Sequence, residues 1–409
     1  MGQTLPMSVS PLVWGLTIAG IVALLLFDFF FHVRKAHIPT LREASLWSAL
    51  YVGIALVFGA GVWIFGGSDP GAEYFAGYVT EKALSVDNLF VFLVIMSSFK
   101  VPRADQQKAL LFGIVFSLVA RSLFILLGAA LINTFAWVFY VFGLILLLTA
   151  GNLLKPESEE SHSPDNLMVR LARRVFPATD VYDGDRLFTV KGGRRVMTPM
   201  LLVMIAIGGT DILFALDSIP AIFGLTQNVY IVFTATAFSL LGLRQLYFLI
   251  DDLLDRLIYL AYGLAVILGF IGVKLILHAL HENNVPFIND GEPVPVVEIS
   301  TGLSLTVIIA VLLITVIASL ASAKGRAQST VSAARRYAQE YLEVEHDPKR
   351  RAELFAKVCA KERDLRELPE KYRRRIREED KLLALLRRVH EEHDRHQDRE
   401  EREEHGRSR

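Results

Sequence analysis

The chain has 409 residues, of which 53% are hydrophobic, and its 43 basic residues balance 43 acidic ones. The charges are segregated, because residues 324–409 hold 24 Lys and Arg and 20 Asp and Glu, which leaves 42 charges for the first 323 residues. This division excludes a uniform soluble globule and a collagen, and the single cysteine, Cys359, excludes a disulfide scaffold. With the charges segregated in this way, the zero net charge gives no reason to expect a nucleic-acid partner.

Nine stretches of the first 323 residues are apolar and long enough to cross a bilayer as helices, which takes about 20 residues. They are 11–31, 44–66, 73–98, 109–131, 135–154, 198–224, 229–250, 256–280 and 300–322. The first is too long for the apolar run of a signal peptide and lacks a cleavage site, so we expect a retained helix. The sequence therefore predicts an all-α polytopic membrane protein. It has a transmembrane domain over 1–323, with a cytoplasmic loop at 155–197, and a charged cytoplasmic tail over 324–409.

Lys and Arg occur in alternate connections between these segments. They follow the first, third, fifth and ninth segments and are absent from the connections 67–72, 132–134, 225–228 and 281–299. Cytoplasmic loops carry an excess of Lys and Arg. The pattern predicts a plasma (cytoplasmic) membrane protein with its N-terminus outside and its C-terminus in the cytoplasm.

Charged side chains interrupt the apolar segments, although insertion scales put each Asp, Lys or Arg at a helix centre at a cost of roughly 2.5–3.5 kcal/mol. The third segment carries Glu81, Lys82 and Asp87, and the sixth carries Asp211 and Asp217. Further charges inside the segments are Asp28 in the first, Arg121 in the fourth and Arg244 in the seventh. Charges retained at such a cost indicate a functional site.

The third and sixth segments look like copies of each other. Each has two acids six residues apart and a small polar residue after the second acid: Glu81, Asp87 and Asn88, then Asp211, Asp217 and Ser218. The segment that follows carries an arginine in a similar frame, Arg121 or Arg244. Three spans separate the copies, so they face opposite ways. The sequence predicts an inverted repeat, segments 3–4 against 6–7, as in many secondary transporters.

Helix geometry predicts how the acids are presented. Glu81, Ser85 and Asn88 share one helix face, so we expect the third segment to be a continuous helix with a wide polar sector. In the sixth segment, Gly208-Gly209 before the first acid and Pro220 after the second favour a broken helix that brings both acids to one point.

Carboxylate, hydroxyl and amide oxygens suit Mn, Mg or Ca better than Zn or Cu. We predict that the ion-binding residues are Glu81, Asp87, Asp211 and Asp217. Supporting residues are Asp28, Ser85, Asn88, Thr210 and Ser218, and counter-charges are Lys82, Arg121 and Arg244. No permanently bound cofactor is expected, since a metal ion at such a site in a transporter would be its substrate. The alternative is that these charges are paired structural bridges, an interpretation favoured for the two arginines, while Lys82 is either a site charge or a partner for Glu81 or Asp87.

Several multi-residue motifs resemble the TerC family. They are 27–32 with 43–48, the run 81–89 (EKALSVDNL), the run 211–221 (DILFALDSIPA) and Gly242-Leu243-Arg244. The resemblance covers roughly residues 10–323 and implies a membrane protein linked to tellurium resistance and metal-ion homeostasis, with manganese export as its activity. Two departures are Gly208, where the family usually has Glu, and Thr236, where it often has Asn.

Two functions remain open from the sequence. The first is a transporter that exports divalent cations, manganese first, in exchange for protons. The second is a non-transporting membrane scaffold that anchors a stress complex or aids membrane-protein insertion, with the tail docking a protein partner. An enzyme is not expected, since the chain has no nucleophile elbow, phosphate loop or His-rich metal motif. The tail is predicted to be helical, with Pro348 and Pro369 in the first turns of helices. One apolar patch is formed by Leu382, Leu383, Leu385, Leu386 and Val389. The tail is either an interaction helix or a solvated, partly disordered extension.

Overall fold

The computed structural model describes residues 9–33, 41–99, 101–135, 137–154, 179, 182–184, 186–191, 194–250, 257–286, 288–343, 348–368 and 379–407. In chain order its helices are α1 Pro11–Asp28 with a π-helical turn at Phe29–Val33, α2 Leu41–Gly66, α3 Ser68–Ser98, α4 Arg103–Thr134, α5 Val138–Leu153, α6 Pro199–Phe223, α7 Val229–Leu240, α8 Leu243–Ile250, α9 Leu260–His281, α10 Thr301–Ala321, α11 Ala323–Glu343, α12 Pro348–Glu367 and α13 Glu379–Arg407. The strands are β1 Phe188–Lys191 and β2 Arg194–Met197.

The all-α membrane architecture is confirmed. Within the described residues, seven helical stretches are long and apolar enough to cross a membrane: 11–31, 42–66, 105–134, 199–223, 229–249, 260–281 and 301–321. The two remaining predicted segments are also helical, as the charge-bearing α3 and the 16-residue α5. The number of nine crossings and the inverted repeat stay predictions.

Large apolar side chains remain exposed on the outer helices. Val57 and Ile64 on α2, Leu123 on α4 and Ile314 on α10 each expose about two thirds or more of their surface. On a soluble protein such surfaces would be an aggregation hazard, whereas hydrocarbon solvates them without cost. They identify the surface that lipid covers.

Four helices of the first compact unit, which comprises residues 1–249 and 260–314, pack on one another. The helix α3 packs on α6 and α7, and α4 packs on the same two helices. Where α4 meets α6, a Cβ on Gly113 would lie 2.7 Å from a methyl carbon of Ile207, so the backbones approach closely. The polar segments singled out in the sequence therefore face each other inside the bundle.

The predicted break in the sixth segment is wrong. The helix α6 runs from Pro199 to Phe223 through Gly208-Gly209 and Pro220. Glycine permits a break but does not require one, and in a bilayer each lost backbone hydrogen bond is costly, so the helix stays closed. The third segment is continuous, as predicted, in α3.

The break lies in the seventh segment instead, between α7 and α8. Leu241 is extended, with ψ at 136°, and Gly242 has a φ of +75°. A Cβ at Gly242 would also lie 2.7 Å from Cβ of Tyr51, so both the backbone conformation and the available space require glycine.

A small hairpin, not predicted from the sequence, precedes α6. The antiparallel strands β1 and β2 pair Phe188 with Met197 and Lys191 with Arg194. Thr198 then donates its hydroxyl to the carbonyl of Arg186 at 2.6 Å, which ties the start of α6 to the hairpin. Much of the predicted cytoplasmic loop, including 155–178, lies outside the described residues.

The second compact unit comprises residues 250–259 and 315–409. The described residues of the tail are helical. Among the leucines predicted to form an apolar patch on α13, Leu382 and Leu386 are buried with Val389, whereas Leu383 is exposed. The helix α12 begins at Pro348, as predicted, while Pro369 lies outside the described residues. The apolar core of this second unit consists of the buried residues Val331, Ala334, Ala338, Tyr341, Leu354, Val358, Leu382, Leu386 and Val389.

Deleting residues 330–409 should leave the membrane part folded, because every apolar segment ends before that point. We expect the truncated chain to reach the membrane fraction and to elute as a single species after detergent extraction. Failure of the truncated chain to insert would show that the proposed boundary between core and tail is wrong.

A histidine in the tail makes its packing sensitive to pH. The ring of His393 stacks on Phe355, with centroids 3.5 Å apart, and its Nδ1 lies 3.1 Å from the hydroxyl of Tyr341. Burial lowers the pKa of His393 below its ordinary value of about 6.5. The charged or titratable groups that act on it are Asp394, His390, His396 and Arg351. At His393 the folded tail therefore binds fewer protons than the unfolded tail once the pH falls below about 6.5, so the stability that this histidine contributes is lost in that direction.

We expect hydrogen exchange of α13 in the full-length protein to accelerate as the pH falls from about 7.5 to about 5, after correction for intrinsic rates. His393→Phe keeps a ring against Phe355 and should remove most of this pH dependence. His396→Gln, on the same helix, should retain it. Equal pH profiles for the native chain and His393→Phe would refute the assignment.

Candidate ion-binding site

The first charged centre is organised by Arg121 of α4, whose side chain is completely buried. Its Nη1 donates to Oε2 of Glu81 on α3 at 2.5 Å and to Oγ of Ser218 on α6 at 2.9 Å. Its Nη2 lies 3.6 Å from Oδ1 of Asp211 on α6. With the Asn88 amide turned so that its oxygen faces the guanidinium, that oxygen accepts from Nη2 at 3.3 Å. One guanidinium thus joins the two predicted copies, α3 and α6.

Hydrogen bonding at this centre is incomplete. Within the described part of the chain, Oε1 of Glu81, Oδ2 of Asp211 and Oγ of Ser85 are buried without a hydrogen-bond partner, and Nε of Arg121 donates to none. Buried polar atoms are nearly always paired, and an unpaired one costs about 1–3 kcal/mol. Oxygens left unpaired at this cost are available to a ligand.

The second acid of each pair lies partly exposed. Asp87 and Asp217 are half-buried, and Asp217 interacts electrostatically with both Asp87 and Arg121. Glu81 and Asp211 also interact with each other. The four predicted carboxylates therefore form two pairs, one of them held by Arg121. Thr210, predicted as a supporting residue, donates its hydroxyl to the carbonyl of Ala206 at 2.7 Å.

The described residues contain no group of three or more His, Cys, Asp or Glu side chains placed to hold a metal ion as they stand. At the Arg121 centre the guanidinium occupies the space between the two acids. What the arrangement offers a cation is two carboxylates on different helices, each with one unpaired oxygen, once the guanidinium has moved away.

Asp28 and Arg244 belong to a second, separate network. Nε and Nη2 of Arg244 donate to the two carboxylate oxygens of Asp28 at 3.0 and 2.8 Å, and its Nη1 donates to Gln107 at 2.6 Å. Gln245 and Tyr51 also donate to Asp28, at 2.7 and 3.2 Å. Asp28 is 5% exposed and Arg244 2%. Asp28, predicted as a supporting residue, is buried as the bidentate partner of an arginine.

Lys82 pairs with neither of the acids expected for it. Among the described residues, its Nζ donates to the carbonyl oxygens of Ser239 at 2.9 Å and Leu241 at 3.3 Å. These carbonyls lie at the broken end of α7, where the helix dipole is negative, so the ammonium stabilises the break. The cause of the difference is the break itself, which the sequence analysis placed in another helix.

Gly208 and Thr236 are the two positions at which this chain differs from the residues usual in the TerC family, and both are surrounded by other side chains. A Cβ on Gly208 would lie 3.1–3.4 Å from the ring of Phe116, so this ring fills the space beside the position where a glutamate was expected. Thr236 is 1% exposed and its hydroxyl is unpaired within the described residues.

Gln107, Gln245 and Tyr51 were missed by the sequence analysis. Gln107 and Gln245 are 1% and 4% exposed. Gln245 stands beside Arg244 in an apolar segment, which is the signal that could have identified it, whereas Gln107 lies in the polar run 103–108 and carries no such signal.

Comparison with known proteins decides the family. The profile of the integral membrane protein TerC family matches residues 67–327, which covers most of the chain and includes Glu81, Arg121 and Asp211. This chain belongs to the TerC family. Asp28, which pairs with Arg244, precedes the matched part of this TerC protein. No solved structure matches the chain.

Relatives of this TerC chain are known from several bacteria. The uncharacterized membrane protein Rv2723 of Mycobacterium tuberculosis is 60% identical over 94% of this chain and 98% of its own length. The membrane protein STKORF319 of Myxococcus xanthus is 43% identical over 67% of this chain and 86% of its own. An Escherichia coli protein, Alx, named as a candidate membrane-bound redox modulator, is 38% identical over 66% of this chain and 86% of its own.

Proposed function

We propose that this TerC protein exports divalent metal ions, manganese first, across the plasma membrane, with its N-terminus outside and its tail in the cytoplasm. The observation that carries the proposal is the Arg121 centre, where acids from α3 and α6 meet inside the bundle with unpaired oxygens. Intramembrane acids of this kind mark ion pathways.

The chemistry of the site favours a hard cation. Glu81 and Asp211 supply carboxylates, and Ser85, one helical turn after Glu81, supplies a hydroxyl oxygen that is unpaired within the described residues. Such oxygen donors suit manganese, magnesium or calcium. Exchange for protons fits Asp87 and Asp217, the half-buried second pair of acids, because a carboxylate can hold either a metal ion or a proton.

Both α3 and α4 pack on both α6 and α7, and this arrangement fits alternating access. In transporters with inverted repeats, the substrate lies between the repeats and one repeat rocks against the other. A charge centre shared by α3 and α6 would be opened from either side by such a movement.

A membrane scaffold is the second candidate, and the compact helical tail favours it. A tail with its own apolar core and a highly charged surface is suited to docking a protein partner. The name of the relative Alx suggests a third role in redox control. The single cysteine, Cys359, lies in the tail, so the membrane part of this chain has no thiol with which to perform such chemistry.

The decisive test is manganese transport by the purified full-length protein in vesicles. We expect uptake of manganese into vesicles that carry the protein with its cytoplasmic side outward, driven by an outward proton gradient. Protein-free vesicles are the control. Absence of manganese, magnesium and calcium movement under these conditions would leave the scaffold as the leading function.

A further inference from the structure

We propose that Arg121 is a tethered substitute for the transported cation. It occupies the carboxylates of Glu81 and Asp211 while no ion is bound, and it leaves them when a divalent cation enters. This inference rests on the proposed transport function and concerns how the same site is emptied and filled.

Arg121 lies in the position that a bridging cation would take. Arg121 contacts an acid from α3 and an acid from α6, at 2.5 and 3.6 Å, so its positive charge lies where a cation that bridges both helices would lie. A divalent cation and a guanidinium cannot share that position, because both are positive and both need the same oxygens. Binding of the cation therefore requires the guanidinium to move.

Arg121 leaves part of the bonding capacity of both acids unused. Each acid uses one oxygen toward Arg121 and leaves the other unpaired, and Nε of Arg121 is unpaired within the described residues. The contact with Asp211 is longer than a hydrogen bond. The short contact of the guanidinium with an acid is therefore with Glu81 alone, at 2.5 Å, and the guanidinium can leave Asp211 without breaking a hydrogen bond.

Arg244 provides the contrast inside the same molecule. It lies in the equivalent frame of the second predicted copy, yet all three of its nitrogens donate hydrogen bonds, two of them to Asp28 in a bidentate pair. Such a pair is strong and fixed in geometry. The protein can therefore saturate a buried arginine, and it does so at Arg244 but not at Arg121.

The displaced guanidinium has partners that remain. Ser218 and Asn88 accept from it now, at 2.9 and 3.3 Å, and Asp217 lies within its electrostatic range. Neutral oxygens and a second carboxylate can hold the arginine beside the ion. After the ion has been released, the guanidinium returns to Glu81 and Asp211. The ion-free protein then has no uncompensated carboxylates at this centre inside the bilayer.

The test is manganese binding and transport by Arg121→Met in the full-length protein. Removing a competing cation should lower the manganese Kd by about tenfold or more, the scale of one lost charge-assisted hydrogen bond. The efflux rate should fall at least as much, because the emptied site is left uncompensated. Binding is measured in detergent from the loss of the free-ion manganese EPR signal, and efflux in vesicles.

Arg121→Lys covers the case in which the methionine variant does not fold. A compact ammonium cannot span two carboxylates as a planar guanidinium does, so it should compete less and give a Kd between those of the other two proteins. Arg244→Lys is the matched comparison and should leave the manganese Kd unchanged. Folded Arg121 variants that bind manganese no more tightly than the native protein would overturn the inference while leaving transport intact. A native protein that neither binds nor exports a divalent cation would overturn the proposed function itself.

Discussion

Asp87→Asn and Asp217→Asn should each abolish manganese efflux while the protein still reaches the membrane. The substitution keeps the shape and hydrogen-bonding capacity of the side chain and removes one negative charge. A hard divalent cation needs that charge to offset the hydration it gives up. The two acids interact electrostatically and are half-buried, so each is accessible to an ion on its way to the buried pair.

The assay is manganese uptake and release in vesicles at matched protein level. Asp69→Asn is the control, because Asp69 is an exposed acid in the first turn of the same helix, α3, and its loss should leave efflux unchanged. Full manganese transport by both asparagine variants would show that these carboxylates are structural, and the scaffold hypothesis would then lead.

Apolar length was sufficient to predict the helices of the membrane part. A stretch of about 20 apolar residues has few alternatives to a helix in a bilayer, because every backbone polar group must be satisfied within the segment. Local pattern was not sufficient to place the break. Gly208-Gly209 and Gly242 look alike in the sequence, and what distinguishes them is the side chain of Tyr51 beside Gly242, which belongs to another helix.

The acids of the site could be predicted, but their partners could not. The free-energy cost of placing a charge inside a bilayer is enough to identify Glu81 and Asp211, since charged residues in membrane helices usually have a function. The pairing of Arg244 with Asp28, 216 residues earlier, depends on how α1 and α8 pack. The contact of Lys82 with two backbone carbonyls left no trace in the sequence at all, because a carbonyl acceptor is present at every residue.

Arg244→Met should destabilise the membrane part by about 3–5 kcal/mol, the usual cost of removing one partner of a buried ion pair. Gln245 and Tyr51 would remain as donors to Asp28, but the carboxylate would be left buried without a counter-charge, and Gln107 would lose its donor.

Because the loss comes mainly from the stranded charge, the double variant Arg244→Met with Asp28→Leu should regain much of the stability. The stability of both variants is compared through their unfolding midpoints in detergent. Arg186→Met is the reference, since Arg186 is exposed and pairs at 3.5 Å with exposed Asp183, a contact worth at most about 1 kcal/mol. If the double variant were as unstable as the single one, the destabilisation would come from lost packing around Arg244 rather than from an uncompensated Asp28.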